Sequence, residues 1–371
     1  MNGGARILKL GWRMLVTILL LGWIFHAIFV NEGKVVAEGR GVEWGRLSRA
    51  EQWHYGWWHG PPALWQTLTS VHPGALAGSF GLMGITVLLG VVRWRMVLEV
   101  QGLHLSLGRA TEISFVAHFF NSFLLGSTGG DLMKAYYAAR ETHHKKMETV
   151  VTVFVDRIVG LWAMLLFATV MMIPNYHLLF EHKRMQALAS LILAMTAGGT
   201  AFLVVAFWGG VSKAWSGARI WLRKLPKGDH IERSVDSCRQ FGRNLAFLPR
   251  VLGLSMLLNL VCVAQFWVLC QGLNLSVSPV VLLCAVPSII CIAALPITPS
   301  GLGVRENLFV LVLAEPSINV AATSALSLSL LAYAGSLFWS LVGGVVYLLF
   351  KEKHHLTEVR LDPGADPGPQ G

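Results

Sequence analysis

Two glycine- and proline-rich interruptions of apolar sequence carry most of the chain's candidate chemistry. The first reads Asn121-Ser-Phe-Leu-Leu-Gly126-Ser127-Thr128-Gly129-Gly130-Asp131-Leu-Met-Lys134-Ala-Tyr136-Tyr137. Glycine allows backbone conformations that expose N–H groups, and a helix starting near Asp131 aims its positive end at whatever binds there. Asp131 and Lys134 stand three apart, on one face of such a helix. An Asp that only caps its helix, with Lys134 snorkelling to the interface, meets the same pattern.

The second interruption reads Ala294-Leu-Pro296-Ile-Thr298-Pro299-Ser300-Gly301-Leu-Gly303-Val304-Arg305-Glu306. Two prolines within four residues end a helix, and Gly301 and Gly303 let the chain turn back at depth. Arg305 and Glu306 follow at once in apolar surroundings, where charge is costly unless it is paired or faces a wet cavity. Mutual pairing or pairing with the other repeat is one reading, and an Arg aimed at a lipid phosphate is the other. A third element, Asp156-Arg157, opens another apolar run. Adjacent helical residues point about 100° apart, so each calls for its own partner. Asp131, Lys134, Arg305 and Glu306 are the candidates, in an ion network that is structural or part of a transport path.

The elements that hold these residues belong to a membrane protein. Hydrophobic residues make up 54% of the 371 and DEKR only 13%, about half the charged share of a soluble domain. Soluble enzymes, disulfide scaffolds and disordered chains are excluded on that basis. The net charge of +10 is concentrated, with nine Lys/Arg against three Asp/Glu between Gly210 and Arg250. A basic loop between apolar spans is the positive-inside pattern, placed against anionic lipid headgroups at the cytoplasmic face. Without interleaved stacking aromatics it is no nucleic-acid site. The five cysteines form no CxxC, the histidines lack metal-ligand spacing, and no cofactor or nucleotide motif occurs.

Apolar runs long enough for ~30 Å of hydrocarbon lie at 14–30, 74–92, 150–173, 187–209, 249–270 and 319–350, with shorter broken runs at 110–128 and 279–298. Residues 31–72 hold four Lys/Arg and four Glu, an external segment whose Trp44, Trp53, Trp57, Trp58 and Trp65 suit the membrane interface. Arg93 and Arg95 mark a cytoplasmic end, as do Lys134, Arg140, Lys145 and Lys146. Both assignments hold together only if 110–130 enters and leaves by one face. Lys183 and Arg184 are a mild exception outside. In the last span, Gly335, Gly343 and Gly344 offer places to kink.

The hexapeptide Gln101-Gly-Leu-His-Leu-Ser106 recurs as Gln271-Gly-Leu-Asn-Leu-Ser276, an offset of 170 that also sets Thr128 on Thr298. Three crossings separate the copies, which implies inverted halves at about 75–175 and 249–350. Inverted repeats with broken helices are the sequence pointer to a transporter site. The expected fold is thus all-α and polytopic, with two broken helical hairpins: six transmembrane helices if the hairpins are re-entrant, eight if they cross fully. It forms one membrane domain over 1–356, both termini cytoplasmic, followed by a disordered tail over 357–371.

Asn121…Gly129-Gly130-Asp131…Lys134-Ala-Tyr136, then Asp156-Arg157-x-x-Gly160, then Pro296-x-Thr298-Pro299-x-Gly301-x-Gly303-x-Arg305-Glu306, resembles the lysylphosphatidylglycerol synthase transmembrane, or flippase-like, family, from about Ala75 to Phe350. The resemblance implies a bacterial inner-membrane translocase that moves an aminoacylated phospholipid, or a hopanoid- or polyprenyl-type lipid, between leaflets. Synthase members carry a soluble aminoacyl-transferase domain after the membrane region. Here about twenty residues follow the last span, so synthase activity is expected to be absent. A membrane transferase with Asp131 or Asp156 as base, and a non-catalytic subunit of an envelope-synthesis complex, are the alternatives. Beyond the lipid substrate, a homo-oligomer or envelope-synthesis enzymes are the partners considered. The substrate-binding set is Asn121, Ser127, Thr128, Gly129, Gly130, Asp131, Lys134, Tyr136, Asp156, Arg157, Thr298, Pro299, Gly301, Gly303, Arg305 and Glu306. The cations Arg305 and Lys134 hold an anionic headgroup, Gly129, Gly130, Gly301 and Gly303 bring backbone close, and Asp131 and Glu306 orient the cations or bind a positive headgroup.

Overall fold

The computed structural model describes scattered positions between 15 and 40, then residues 42–123, 129–141, 146–177, 183–208, 241, 247–295, 298–316 and 318–349. Most of the basic loop, the tail over 357–371, and Ser127 and Thr128 lie outside these residues. Among the described residues every regular element is helical. An apolar chain in lipid must satisfy its backbone internally, and helices do so within each segment.

The interfacial segment is a helix, α1 (Arg49–Thr69), started by a capping box. Ser48 N–H donates to Glu51 Oε2 at 2.8 Å, and Glu51 N–H donates to Ser48 Oγ at 3.3 Å. Trp53, Trp57, Trp58 and Trp65 remain exposed on it. Among the described residues nine further α-helices follow: α2 (Pro73–Val100), α3 (Leu107–Phe123), α4 (Gly129–Glu141), α5 (Lys146–Met172), α6 (Lys183–Trp208), α7 (Phe247–Gly272), α8 (Pro279–Ala293), α9 (Val304–Leu313) and α10 (Ala322–Leu349). Five of these, α2, α5, α6, α7 and α10, contain stretches long and apolar enough to cross a membrane. They match five of the six expected spans, and the described residues of 15–30 are helical as well.

The helices α2 to α5 and α7 to α10 are two copies of one pattern: long helix, broken hairpin, long helix. α2 packs against α7, α3 against α10, and α8 against α5, so each half embraces the hairpin of the other. The central pair is antiparallel. His72 N–H at the start of α2 donates to the Gly272 carbonyl at the end of α7, at 2.9 Å. At the opposite end Val97 and Val100 share a core cluster with Phe247 and Val251. The halves are therefore inverted.

The register differs from the offset of 170 seen in the hexapeptide. Gly102 (φ 65°) is the left-handed residue that closes α2, whereas the second turn uses Asn274 (φ 53°). Both give a helix-ending bond from the residue just after the left-handed position: Leu103 N–H to Leu98 O at 3.1 Å, and Leu275 N–H to Cys270 O at 2.8 Å. Gly272 is still helical, and a side chain there would strike Ala75. Ser106 and Ser278 precede the next helices, so the structural offset at this turn is 172, and matched letters are not matched places.

The hairpins fit the re-entrant reading. α3, the longest of their four helices, has 17 residues and reaches about 25 Å. α4, α8 and α9 have 13, 15 and 10 residues, short of the ~20 a crossing needs. Arg109 at the outer end of α3 pairs with Glu141 at the outer end of α4 at 2.5 Å, which closes the mouth of the first hairpin. Arg184, the cation out of place in the charge pattern, pairs with Glu315 at 3.1 Å.

In α10 the glycines serve contact, and the helix runs unbroken from Ala322 to Leu349. A Cβ at Gly343 would overlap the Phe115 carbonyl oxygen of α3, and one at Gly344 would press the Phe119 ring. Replacing these hydrogens removes the close approach that small residues provide between helices in lipid. Gly343→Val should therefore lower the melting temperature of the solubilised protein by an amount equivalent to about 2 kcal/mol, an overpacking cost. Gly90→Ala, with open space around it, should leave the melt within about 0.5 kcal/mol. Equal melts for the two variants would refute the packing role.

Candidate functional site

Charge inside the bundle is organised in two clusters, one on each half. The first centres on Asp156 of α5. Arg93 of α2 grips its carboxylate side-on, Nε to Oδ1 at 2.8 Å and Nη2 to Oδ2 at 3.3 Å. Lys134 of α4 adds its Nζ at 3.9 Å from Oδ2 and lies 4.2 Å from the centroid of the buried Trp94 ring. The side chains of Arg93 and Asp156 are only 14% and 9% exposed, so Arg93 is an internal ion-pair partner rather than the surface marker its place after an apolar run suggested. Gly160, one turn beyond Asp156, explains its own presence. A Cβ there would stand 2.7 Å from both terminal nitrogens of Arg93.

Arg157 faces away from its neighbour and pairs with Asp131. Asp131 is the third residue of α4, where a carboxylate also answers the positive end of the helix dipole. Glu306 holds the equivalent third position of α9. It is fully buried, accepts from Gly303 N–H at 2.7 Å, and pairs with Arg305 beside it. Arg305 also donates Nε–H to Ser329 Oγ at 3.2 Å and lies 4.6 Å from the centroid of the Tyr333 ring. Both carboxylates thus sit at the start of the helix that follows a hairpin tip, each with an arginine in front of it. Across the two clusters four cations, Arg93, Lys134, Arg157 and Arg305, face three carboxylates.

The hairpin tips meet. Ser300 Oγ–H donates to the Asn121 carbonyl at 3.1 Å, and Asn121 Oδ1 accepts from Gly130 N–H at 2.9 Å. Beside this junction lies a cavity of about 350 Å³, within the ~300–1,000 Å³ usual for ligand sites. Asn121, Arg157 and Arg305 line it, together with His118 of α3 and Asn259 and Gln265 of α7. Both halves therefore contribute a guanidinium to one chamber.

The remaining expected residues that the structure describes do not line the cavity. Gly129 and Gly130 begin α4, and a side chain on Gly130 would strike the Ala117 carbonyl and Asn121, so its glycine permits tip packing. Its N–H is taken up by Asn121. Pro299 opens a short turn in which Ser300 and Gly301 take φ of 53° and 70°, and Gly303 takes 84°. These left-handed values bring Gly301 against Ala293, where a Cβ would lie 2.7 Å from the carbonyl oxygen. Thr298 is buried, its hydroxyl without a partner among the described residues. Tyr136 accepts from Arg140 Nη1–H at 3.0 Å and does not line the cavity. Sequence reasoning passed over Arg93, His118, Asn259 and Gln265. Single polar side chains within otherwise apolar runs were the available signal for the last two.

Removing one partner of a buried pair leaves an uncompensated charge at a cost of about 3–5 kcal/mol. Arg93→Met should accordingly destabilise the folded protein by about 3 kcal/mol, and Arg93→Met with Asp156→Leu by less than Arg93→Met alone. Gly160→Val, which fills the space of the guanidinium, should destabilise comparably. Additive losses in the Arg93–Asp156 double-mutant cycle, read from thermal melts, would show that the pair is not coupled.

No curated protein matches this chain. The family model described as the lysylphosphatidylglycerol synthase TM region matches residues 54–349, the stretch that contains both broken hairpins, the Asp156 cluster and the cavity. The chain belongs to the lysylphosphatidylglycerol synthase transmembrane family.

Proposed function

We propose that the protein moves a lipid between the leaflets of a bacterial inner membrane, by alternating access across its two inverted halves. One observation carries this reading: a cavity at the meeting of two hairpin tips, with an arginine from each half on its wall. Transporter sites characteristically lie where broken helices of inverted repeats converge. Rocking one half against the other separates the outer ends of the packed helices while the tips remain the pivot. A headgroup held at the tips then sees first one face and then the other, with its chains in lipid.

Charge gives the orientation. The mouth of the first hairpin, with Arg109 and Arg140, lies at the cytoplasmic face, and α1 rests at the external interface on its tryptophans. Arg157 and Arg305 are the headgroup contacts. Asp131 and Glu306 hold those two arginines in place, and Arg93, Lys134 and Asp156 brace α2, α4 and α5. A transferase would need a base facing its substrate, but Asp131 and Asp156 are each engaged by cations, which favours translocation.

Leaflet exchange of fluorescent lipids in proteoliposomes tests the proposal. Wild-type protein should accelerate exchange, and Arg305→Ala or Arg157→Ala should slow it at least about tenfold, the worth of a charge-assisted hydrogen bond. Protein-independent exchange across a broad headgroup panel would remove translocation. Unchanged exchange in a folded Arg305→Ala variant would remove that residue from the path.

A further inference from the structure

The cavity wall is chemically one-sided. Its charged members are Arg157 and Arg305, and among the described residues no Asp or Glu lines it. The nearby carboxylates are spent elsewhere: Asp131 on Arg157, Glu306 on Arg305 and the Gly303 N–H, and Asp156 on Arg93. The rest of the polar wall is neutral. Asn259 Nδ2–H donates to Ser255 O at 2.8 Å, Gln265 Nε2–H donates to Ala332 O at 3.4 Å, and His118 Nε2 lies 3.2 Å from Ser336 O. Arg305 uses Nε and Nη2 on Glu306 and Ser329, which leaves Nη1 without a protein partner among the described residues.

We infer that the cavity selects a headgroup that carries a phosphate and no ammonium group: an anionic lipid whose polar remainder is uncharged, such as a glycerol or sugar phosphodiester. This deepens the translocase reading and rests on it for the lipid being cargo. Two guanidinium groups whose carboxylate partners lie off the wall attract a phosphate, which Arg can meet with paired N–H donors. A headgroup ammonium in the same chamber would meet guanidinium groups and no lining carboxylate, in surroundings that screen poorly. The amides of Asn259 and Gln265 and the Asn121 side of the tip offer hydrogen bonds to hydroxyls instead. Of the cargoes the family resemblance implied, an aminoacylated phospholipid is thereby disfavoured.

The test is equilibrium binding to the full-length protein in detergent, read by native mass spectrometry. Phosphatidylglycerol, lysyl-phosphatidylglycerol and phosphatidylcholine are the probes, with inorganic phosphate as competitor. Phosphatidylglycerol should bind at least about tenfold tighter than the lysyl form, and Arg157→Gln and Arg305→Gln should each weaken it about tenfold. Asn259→Asp sets a carboxylate on the wall and should bring the two affinities together. Gln265→Glu is the second variant should Asn259→Asp lose its thermal melt. Equal or tighter binding of the lysyl form overturns the inference, as does phosphatidylglycerol affinity that ignores both arginine variants. Binding of inorganic phosphate with no retention of phosphatidylglycerol overturns the lipid assignment in favour of a soluble phosphate. Selective binding without leaflet exchange in vesicles would leave this inference standing and remove translocation.

Discussion

A charge inside an apolar bundle is tolerated only with a partner at hand, and the carboxylate of Asp156 shows how far this constraint reaches. Arg93 from α2 and Lys134 from α4 converge on it from two sides. Three helices from different parts of the first half are thereby held at one point. Breaking this point strands a charge with little solvent to receive it. Gly160 follows from the same demand, since the guanidinium occupies the space that a side chain one turn away would fill. The motif Asp-Arg-x-x-Gly is therefore one carboxylate, one arginine turned to the next cluster, and one vacancy for a third residue's head.

The hairpins repeat the solution at their tips. Each tip is followed by a helix whose third residue is acidic, and each acid is joined to an arginine. The acids satisfy the helix starts and anchor the arginines, so the guanidinium groups rather than the helix ends face the cavity. Glycines at the tips let backbones approach. Gly130 permits contact with α3, and Gly301 permits contact with α8, at a positive φ that other residues adopt only with strain. Backbone N–H groups that might have met a ligand are used within the protein, by Asn121 and Glu306. Recognition is left to side chains, and that is why the charge of the lining carries so much weight.

Inversion also explains the packing of the long helices. α2 and α7 run antiparallel through the centre, and each half lays its outer helix against the hairpin of the other. Close contact there depends on small residues, as at Gly343 against the Phe115 backbone, because lipid supplies no hydrophobic drive between helices. A junction built from two such halves has two related ways to tilt, which is what the proposed alternating access requires.

Much of this was readable in the linear sequence. Composition and run length determine that the chain is a helical membrane protein, because hydrocarbon thickness and unpaired backbone impose both. Glycine and proline mark the two hairpin tips, because they alone combine helix breaking with tight return, and charges set in apolar runs mark the residues that need partners. What the tertiary structure decided is which charge meets which. Arg93 lies 63 positions from Asp156, at the end of an apolar run where a cytoplasmic marker has the same letters. The hexapeptide repeat pointed to inversion, but its register shifts by two because the left-handed residue that ends the helix is Gly102 in one copy and Asn274, not Gly272, in the other. Asn259 and Gln265 read as ordinary positions in a span until α7 turns them to the cavity. Pairing, register and lining depend on contacts between distant segments, and local sequence carries no record of distance in space.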